Sequence, residues 1–254
     1  MEMISLKSAR EIDLMRKAGR ITAAARKLAG ELVVPGVTTL EIDKAVRKFI
    51  ESQGAKPSFL GYGGFPGSAC VSVNEVVIHG IPDHRVLKEG DVVSIDVGAF
   101  IDGFHGDCAA TFPCGKVSPE AERLIAVTEQ SFWEGMKFAK PGQRVSDISH
   151  AVQKYVESNG YSVVRDFVGH GIGTNLHEAP QVPNYGPAGH GPRLVPGMTL
   201  AVEPMVCAGD WRVKVLDDKW TTVSADNSLT AHYENTILIT EDGFEVLTDP
   251  GDAI

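Results

Sequence analysis

One stretch of this chain occurs twice. The segment from Pro35 to Gly54, PGVTTLEIDKAVRKFIESQG, returns 106 residues later as Pro141 to Gly160, PGQRVSDISHAVQKYVESNG, and nine of the twenty positions are identical. Apolar residues in both copies recur at i, i+3, i+4, i+7 and i+8, from Ile42 to Ile50 and from Ile148 to Val156. This spacing predicts two amphipathic helices that each bury one stripe. We therefore expect two related halves.

A second helix is predicted upstream of each copy. Ser8 and Glu11 have the spacing of a capping box ahead of an apolar run that begins at Leu14, while Ser118 and Pro119 open the counterpart in the second half. Each half thus begins with a helix, a Pro-Gly turn and another helix.

Each half then changes to strand-like sequence. The predicted strand segments are Val71–His79, Val92–Val97, Tyr161–Val168, Thr199–Val206 and Thr236–Thr240. LKEGDVVSID, which ends at Asp96, resembles LVPGMTLAVE, which ends at Glu203, although two similar strands could also merely share a solvated end. We predict an α/β (α+β) fold in one domain, 1–254, with a pseudo-repeat of roughly 1–107 and 108–254. The sheets meet in the middle with helices outside, so a site between the halves would draw ligands from both.

Composition excludes several classes of function. The 24 basic and 33 acidic residues give a net charge of −9, which argues against a protein that binds nucleic-acid phosphates or anionic lipid. The four cysteines form no CxxC pair, so reduced thiols in the cytosol fit best. The first 20 residues lack the apolar core of a secretion signal, and no run approaches about 18 apolar residues. We expect a soluble cytoplasmic protein that binds no membrane.

The segment VVSIDVGAFIDGFHGD contains two acids that a hairpin would bring together. Asp102-Gly103 is a strong signal for a two-residue turn, and such a turn pairs Asp107 with Gly98. Asp96 and Asp107 then become diagonal neighbours on one face, with Cα atoms about 7–8 Å apart. Either acid alone is more simply a strand-end or turn residue. Together they repel and lose hydration, which a cation would offset.

The segment VGHGIGTNLHEAP places His170 and His177 among glycines that leave room for close approach. A phosphate-binding glycine loop is the competing interpretation, but Pro180 and Pro183 oppose the helix that should follow such a loop. The pair is no HExxH zinc motif either, because Gln181 stands where the second histidine belongs. The remaining histidines His84, His150 and His190 are assigned structural roles by default.

Two glutamates lie within strongly apolar strand sequences, where an unpaired carboxylate is costly. They are Glu203 in TLAVEPMV and Glu234 in AHYENTILIT. Two Asp, two Glu and one His make a hard set of donors that suits Mn, Fe(II), Co or catalytic Zn better than a structural zinc site. His79 in NEVVIHGIP adds a histidine at a strand end, which on its own is weak support.

These motifs resemble, over nearly the whole chain and in order, those of the type I methionine aminopeptidases of the pita-bread fold. The segments that carry the resemblance are NEVVIHGIP, SIDVGAFIDGFHGD, GHGIGTNLHEAPQVPNY, LAVEPMV and AHYENTILIT. The resemblance implies two pseudo-symmetric halves with central antiparallel sheets covered by helices. It also implies that the metal ligands are Asp96, Asp107, His170, Glu203 and Glu234, with Asp107 and Glu234 bridging.

The resemblance further implies an activity. A hydroxide that bridges two divalent ions (Co, Mn, Fe(II), Zn or Ni) would attack the first peptide bond of a chain that begins with methionine and has a small second residue. Glu203 would be the general base, His79 and His177 would assist catalysis and bind substrate, and the methionine pocket would comprise Phe59, Tyr62, Phe65, Cys70, Leu176 and Trp220. Each of these apolar residues could equally be ordinary core. The expected partners are nascent polypeptide N-termini, with the ribosome as a candidate location, and we expect a monomer.

Some positions depart from the commonest family pattern, and other functions remain open. Gly63 and Phe65 stand where His and Tyr are expected, Leu176 where many members have Phe, and Asn235 where His often follows the last ligand. A proline-specific relative, aminopeptidase P or prolidase, is the nearest alternative, although such proteins usually carry an extra N-terminal domain. A non-catalytic pita-bread module that binds protein or RNA is a second, which the acidic composition and the complete ligand set disfavour.

Overall fold

The structure is a computed structural model that describes residues 3–249. The predicted domain of 1–254 includes residues 1–2 and 250–254, which lie outside the described range. The first 20 residues, which lack the pattern of a secretion signal, also include residues 1–2. Within the described range no helix is both long enough and apolar enough to cross a bilayer.

Residues 3–249 contain two pairs of α-helices, at the places that the repeat predicts. Their bounds are α1 (Ala9–Glu31), α2 (Thr39–Ser52), α3 (Pro119–Met136) and α4 (Val145–Ser158). The predicted capping box is confirmed, because the backbone N–H of Ser8 donates to Glu11 Oε2 at 2.8 Å. Ser118 caps α3 by accepting a hydrogen bond from the N–H of Ala121 at 3.2 Å.

The remainder of each half contains the β-strands, joined by turns and loops. The first half contains β1 (Lys56–Pro57), β2 (Ala69–Val73), β3 (Val76–Ile78), β4 (Val92–Ile101) and β5 (Phe104–Pro113), with a 3-10 turn at Tyr62–Gly64. The second half contains β6 (Ser162–Val163), β7 (Gly169–Gly171), β8 (Glu178–Val182), β9 (Thr199–Val202), β10 (Met205–Cys207), β11 (Val213–Val215), β12 (Thr222–Ser224), β13 (Thr230–His232), β14 (Glu234–Ile239) and β15 (Phe244–Val246).

One antiparallel sheet spans both halves. Its strand order is β1-β4-β5-β14-β9-β7-β8, with β2 also on β4 and β15 also on β14. The pairing of β5 with β14 joins the two halves, and β4 and β9, whose sequences resemble each other, each lie one strand outside this central pair. Two three-stranded sheets, β13-β10-β6 and β11-β12-β3, complete the β-structure of the described residues.

The helices cover one face of the sheet with two apolar cores. Residues of α1 and α2, such as Ile21 and Ile42, pack against Ile95 and Val97 of β4 in the first core. Helices α3 and α4 pack in the same way against β9 and β14 in the second core. Since alternate residues of a strand face opposite ways, Asp96 between Ile95 and Val97 points to the other face of the sheet. The helices thereby leave that face free to carry polar groups.

Three predicted strand segments are shorter or interrupted in the structure. Val71–His79 is split by a turn at Asn74, which adopts a left-handed φ of 60°. Thr199–Val206 is interrupted after Val202, where Glu203 precedes Pro204 and proline cannot donate to the ladder. Within Tyr161–Val168 only Ser162 and Val163 form a strand, which pairs with Cys207 and Val206 of β10.

Candidate metal centre

The β4–β5 hairpin places Asp96 and Asp107 as its turn signal predicts. Asp102 and Gly103 have φ values of 53° and 88°, which suit a tight turn with two left-handed residues. Gly98 pairs with Asp107, and Asp96 pairs with Ala109, so the two carboxylates lie diagonally on one face. The expected juxtaposition of Asp96 and Asp107 is therefore observed.

The neighbouring strands bring the other three candidate ligands to the same face. Glu234 begins β14 opposite Ala109. Glu203 follows the end of β9, and His170 of β7 pairs with Ala201 of β9. The imidazole Nε2 of His170 lies 3.6 Å from Glu203 Oε1 and 3.9 Å from Asp107 Oδ2. All five side chains thus converge from both halves of the chain.

Four carboxyl groups in this space perturb one another strongly. Burial raises the pKa of Asp107 well above its ordinary value, and the charges of Glu234 and Asp96 raise it further. Burial, together with neighbouring carboxylates, also raises the pKa of Glu203 and of Glu234. The pKa of Asp96 rises to about 7, chiefly through burial. Four buried carboxylates with no compensating charge are unfavourable, so bound protons or cations are needed to neutralise them.

The polar atoms here fit a divalent cation. Asp96 Oδ1, Asp107 Oδ1 and Glu234 Oε1 are buried and have no hydrogen-bond partner within residues 3–249. Nδ1 of His170 lies 2.9 Å from the carbonyl oxygen of Gly171, which can only accept, so Nδ1 carries the proton. Burial lowers the pKa of His170 to about 3, so its Nε2 presents a lone pair to two carboxylates. The imidazole lone pair and the carboxylate oxygens are all acceptors, and a cation between them would interact favourably with each.

His79 and His177 lie beside the carboxylates. The His177 ring is 4.1 Å from the His170 ring, centroid to centroid, and its Nδ1 is 2.7 Å from the hydroxyl of Tyr62. His79 has a left-handed φ of 58°, an uncommon conformation for a residue other than glycine. Burial, and next to it the neighbouring His177, lower the pKa of His79 to about 4, so its imidazole is neutral near pH 7.

All predicted site residues line one pocket of about 600 Å³, a volume that includes its open mouth. The full set is Phe59, Tyr62, Phe65, Cys70, His79, Asp96, Asp107, His170, Leu176, His177, Glu203, Trp220 and Glu234. The aromatic rings of Phe65 and Trp220 meet edge to face at 5.2 Å. The apolar candidates therefore lie beside the carboxylates, where a side chain of the substrate would fit.

The structure adds residues that the sequence analysis did not single out. His232 is only 1% exposed, and its Nε2 faces Glu203 and Glu234. His232 ends β13 and Glu234 begins β14, in different sheets, so their spacing of two residues does not by itself place both side chains on one face. Lys7 forms a buried ion pair with Glu178, next to His177, at 2.6 Å. Nothing in the local sequence indicates that contact between distant residues.

Two departures from the family pattern have structural counterparts. The Oδ1 atom of Asn235 accepts hydrogen bonds from Arg26 Nη1 at 3.2 Å and Thr248 Oγ1 at 2.9 Å. At Gly63 a side chain would start 3.2 Å from the Trp220 ring, so the indole occupies that space. Both substitutions leave the five candidate ligands in place.

Known proteins share the sequence pattern and the fold of this chain. The sequence pattern of metallopeptidase family M24 matches residues 13–241. Methionine aminopeptidase 1 of Bacillus subtilis (strain 168) is 54% identical over 246 residues, which cover 97% of this chain and 99% of that protein. The crystal structure of methionine aminopeptidase from Thermotoga maritima has a TM-score of 0.96 at 48% identity, and the match covers 97% of this chain and 100% of that one.

A more distant neighbour shares only the fold. Prolidase from Pyrococcus furiosus has a TM-score of 0.77 at 24% identity, and the match covers 96% of this chain but 65% of the prolidase. These neighbours confirm the predicted pita-bread fold. From the family pattern and the relatives that match over nearly its full length, this chain belongs to metallopeptidase family M24.

Proposed function

We propose that this chain removes the N-terminal methionine from peptides and nascent proteins, preferring a small second residue. The proposed ligands of two divalent ions are Asp96, Asp107, His170, Glu203 and Glu234, with Asp107 and Glu234 shared between the ions. The observation that carries the proposal is the set of buried carboxylate oxygens without partners in residues 3–249, at the end of an apolar pocket. When bound, the ions make hydroxide available near neutral pH.

Glu203 is the general base in this proposal. Its side chain is 13% exposed, whereas that of Glu234 is 2% exposed. Of the two glutamates, Glu203 is therefore the one that water and a peptide can reach. Its carboxylate can hold a proton taken from water and return it to the leaving amine.

His79 and His177 orient the peptide. His177 lies at the exposed side of the pocket, where its ring can donate a hydrogen bond to the scissile carbonyl oxygen while Tyr62 holds its other nitrogen. The ring of His79 meets Phe167 at 5.7 Å and Trp220 at 6.0 Å, both edge to face, and can contact the peptide nitrogen. These aromatic rings narrow the space around His79, which supports a preference for a small second residue.

The pocket supplies the specificity for methionine. Phe59, Phe65, Cys70 and Leu176 are buried, so a methionine side chain placed among them would leave water and gain apolar contacts. Tyr62 and Trp220 form the more exposed part of the pocket wall.

We also propose a monomeric cytoplasmic enzyme that acts on nascent chains, with the ribosome as a candidate location. Four free, buried cysteines agree with a reducing compartment. The net charge of −9 makes nucleic acid an unfavourable partner.

Cleavage of matched peptides tests the activity. The chain is freed of metal with a chelator, reloaded with single metals, and given Met-Ala-, Met-Leu-, Leu-Ala- and Ala-Pro-peptides. We expect rapid cleavage of the Met-Ala peptide only, and only with metal. Preference for the Ala-Pro peptide would favour the proline-specific alternative, and full activity without metal would contradict the proposed centre.

A matched pair of variants tests the ligands. Asp107→Asn should abolish cleavage and lower metal uptake, because it weakens a carboxylate bridge. Asp102→Asn, in the exposed turn of the same hairpin, should leave both unchanged. Equal loss in both variants would indicate a disturbed hairpin instead of a lost ligand.

A further inference from the structure

The imidazole Nε2 of His232 faces two of the buried carboxylates without a hydrogen bond to either. The residue is 1% exposed, and its Nε2 has no hydrogen-bond partner in residues 3–249. The nearest carboxylate oxygens are Glu234 Oε2 at 3.8 Å and Glu203 Oε2 at 3.9 Å. Both distances exceed hydrogen-bond range, yet a buried imidazole nitrogen without a partner is costly.

The backbone holds this histidine firmly in place. The N–H of His232 donates to Thr111 Oγ1 at 2.8 Å, and Thr111 Oγ1 donates to the carbonyl oxygen of His232 at 2.8 Å. Thr111 in turn contacts Ser94 Oγ at 2.8 Å, across the hairpin that carries Asp96 and Asp107. The position of the ring is thus tied to the same hairpin as two of the proposed ligands.

His232 and His170 each face a different carboxylate oxygen of Glu203. His170 Nε2 is 3.6 Å from Glu203 Oε1, and His232 Nε2 is 3.9 Å from Glu203 Oε2. Two donor atoms that each lie about 2.0–2.2 Å from one ion are at most about 4.4 Å apart, so both separations can span a cation. Glu203, His232 and Glu234 together offer two oxygens and one nitrogen within 4.8 Å of one another.

We propose that His232 is a further metal ligand of this chain. Its Nε2, with Glu203 Oε2 and Glu234 Oε2, forms a cation position at the oxygen of Glu203 other than the one nearest His170. A set of two carboxylate oxygens and one imidazole nitrogen suits a divalent ion such as Zn, Co, Ni or Mn. This inference rests on the metal centre of the proposed function and adds a second imidazole to it.

The test is a direct count of metal-bound imidazoles in the full chain. The protein is prepared with nitrogen-15 histidine and loaded with excess cadmium-113, because a scalar coupling between the two nuclei requires a bond between them. We expect coupling at the Nε2 atoms of His170 and His232, and loss of one coupling in His232→Gln. The count in the unsubstituted chain does not depend on how well the variant folds.

Metal affinity provides the second readout. His232→Gln should weaken the binding of at least one Zn ion about tenfold or more in calorimetric titration. His84→Gln, which changes an exposed histidine away from the pocket, should match the unsubstituted chain. Thermal unfolding of the metal-free proteins shows whether His232→Gln is folded before the comparison is made.

The outcomes separate this inference from the proposed function. Coupling at His170 alone, or two couplings that both persist in His232→Gln, would overturn the role of His232 and leave the five-ligand centre intact. Absence of coupling at every histidine, together with no uptake of metal, would overturn the centre itself.

Discussion

The ammonium group of Lys7 lies 2.6 Å from Glu178 Oε2, in an ion pair whose side chains are only 4% and 11% exposed. Glu178 also accepts hydrogen bonds from the N–H of Asn175 and the hydroxyl of Thr174. The N-terminal segment thereby holds the loop that carries His177. The two partners are 171 residues apart in sequence, so this contact is a product of the tertiary fold.

Loss of this pair should destabilise the protein. In Lys7→Met the carboxylate of Glu178 loses its cation and keeps only the neutral donors of Thr174 and Asn175. We expect the free energy of unfolding to fall by about 3 kcal/mol. Lys17→Met breaks the Lys17–Asp102 pair, whose side chains are 49% and 47% exposed, and should cost less than about 1 kcal/mol. Urea denaturation of both variants measures the difference. Equal losses would show that the buried pair contributes no more than the exposed one.

Stability of the metal-free protein should fall as pH rises above about 6.5, where unfolded histidines no longer bind protons. Burial and mutual repulsion raise the folded-state pKa values of the four carboxyl groups, that of Asp96 to about 7. Below about pH 6.5 the lowered pKa values of His79, His170 and His232 oppose this effect, because these imidazoles bind protons only in the unfolded chain. Above that pH the folded state binds more protons than the unfolded chain through its carboxyl groups, and this stability is lost as pH rises through their raised pKa values.

Added metal should reverse this trend. Cations compete with protons for the same oxygens, so Mn²⁺ should raise the melting temperature more at pH 8 than at pH 5.5. Differential scanning calorimetry with and without chelator checks both statements. A metal-induced increase that is larger at pH 5.5 would contradict the assigned carboxylates.

Glu234→Gln should separate stability from metal binding. Glu234 is the first among the neighbouring charges that raise the pKa of Asp107. A neutral amide at this position relieves repulsion, and we expect the metal-free variant at pH 8 to melt about 2–4 °C higher, as about 1 kcal/mol would produce. The same variant should lose metal-induced stabilisation and peptidase activity.

Glu241→Gln, at an exposed position, serves as the control. A Glu234→Gln variant that still gains stability from metal would contradict the proposed bridge.

A methyl group added at Gly98 of the β4–β5 hairpin should change the shape of the apolar pocket. A Cβ atom at Gly98 would lie 2.8 Å from Phe59 Cε1 and 2.8 Å from Ser58 Cβ. Gly98→Ala should therefore push the Phe59 ring from its place, lower kcat/KM for Met-Ala peptides about ten- to a hundredfold, and cost about 1–3 kcal/mol in stability.

Gly243→Ala is the matched control, because its added Cβ has no heavy atom of residues 3–249 within 4 Å apart from its two chain neighbours. Steady-state kinetics on both variants gives the comparison. Unchanged kinetics in Gly98→Ala would show that Phe59 does not shape the substrate site.

The local features that position much of the site could be predicted from sequence. The Asp102-Gly103 turn and the alternation of strand residues were sufficient to place Asp96 and Asp107 on one face. The capping box of Ser8 and Glu11 and the apolar period of the repeat likewise set the helices. These signals involve neighbours in sequence, where backbone geometry alone decides which side chains meet.

Contacts between distant segments could not be predicted in this way. The pairing of β5 with β14 brings Glu234 beside the hairpin, and no local pattern indicates which strands will pair. The position of His232 depends on the pairing of β13 with β10 and on the hydroxyl of Thr111. β9 ends at Val202, just before Glu203 and Pro204, although the apolar sequence continues to Val206.

The pairing of Gly98 with Asp107 also links metal binding to the register of the hairpin. If the two strands slipped by one residue, the carboxylate of Asp107 would turn toward the helices while that of Asp96 stayed in place. Such a chain could still form a sheet, but its oxygens could not act on a shared ion. A metal ion would therefore bind, and stabilise, only the hairpin in the observed register. Added metal should shift the population from the slipped register to the observed one.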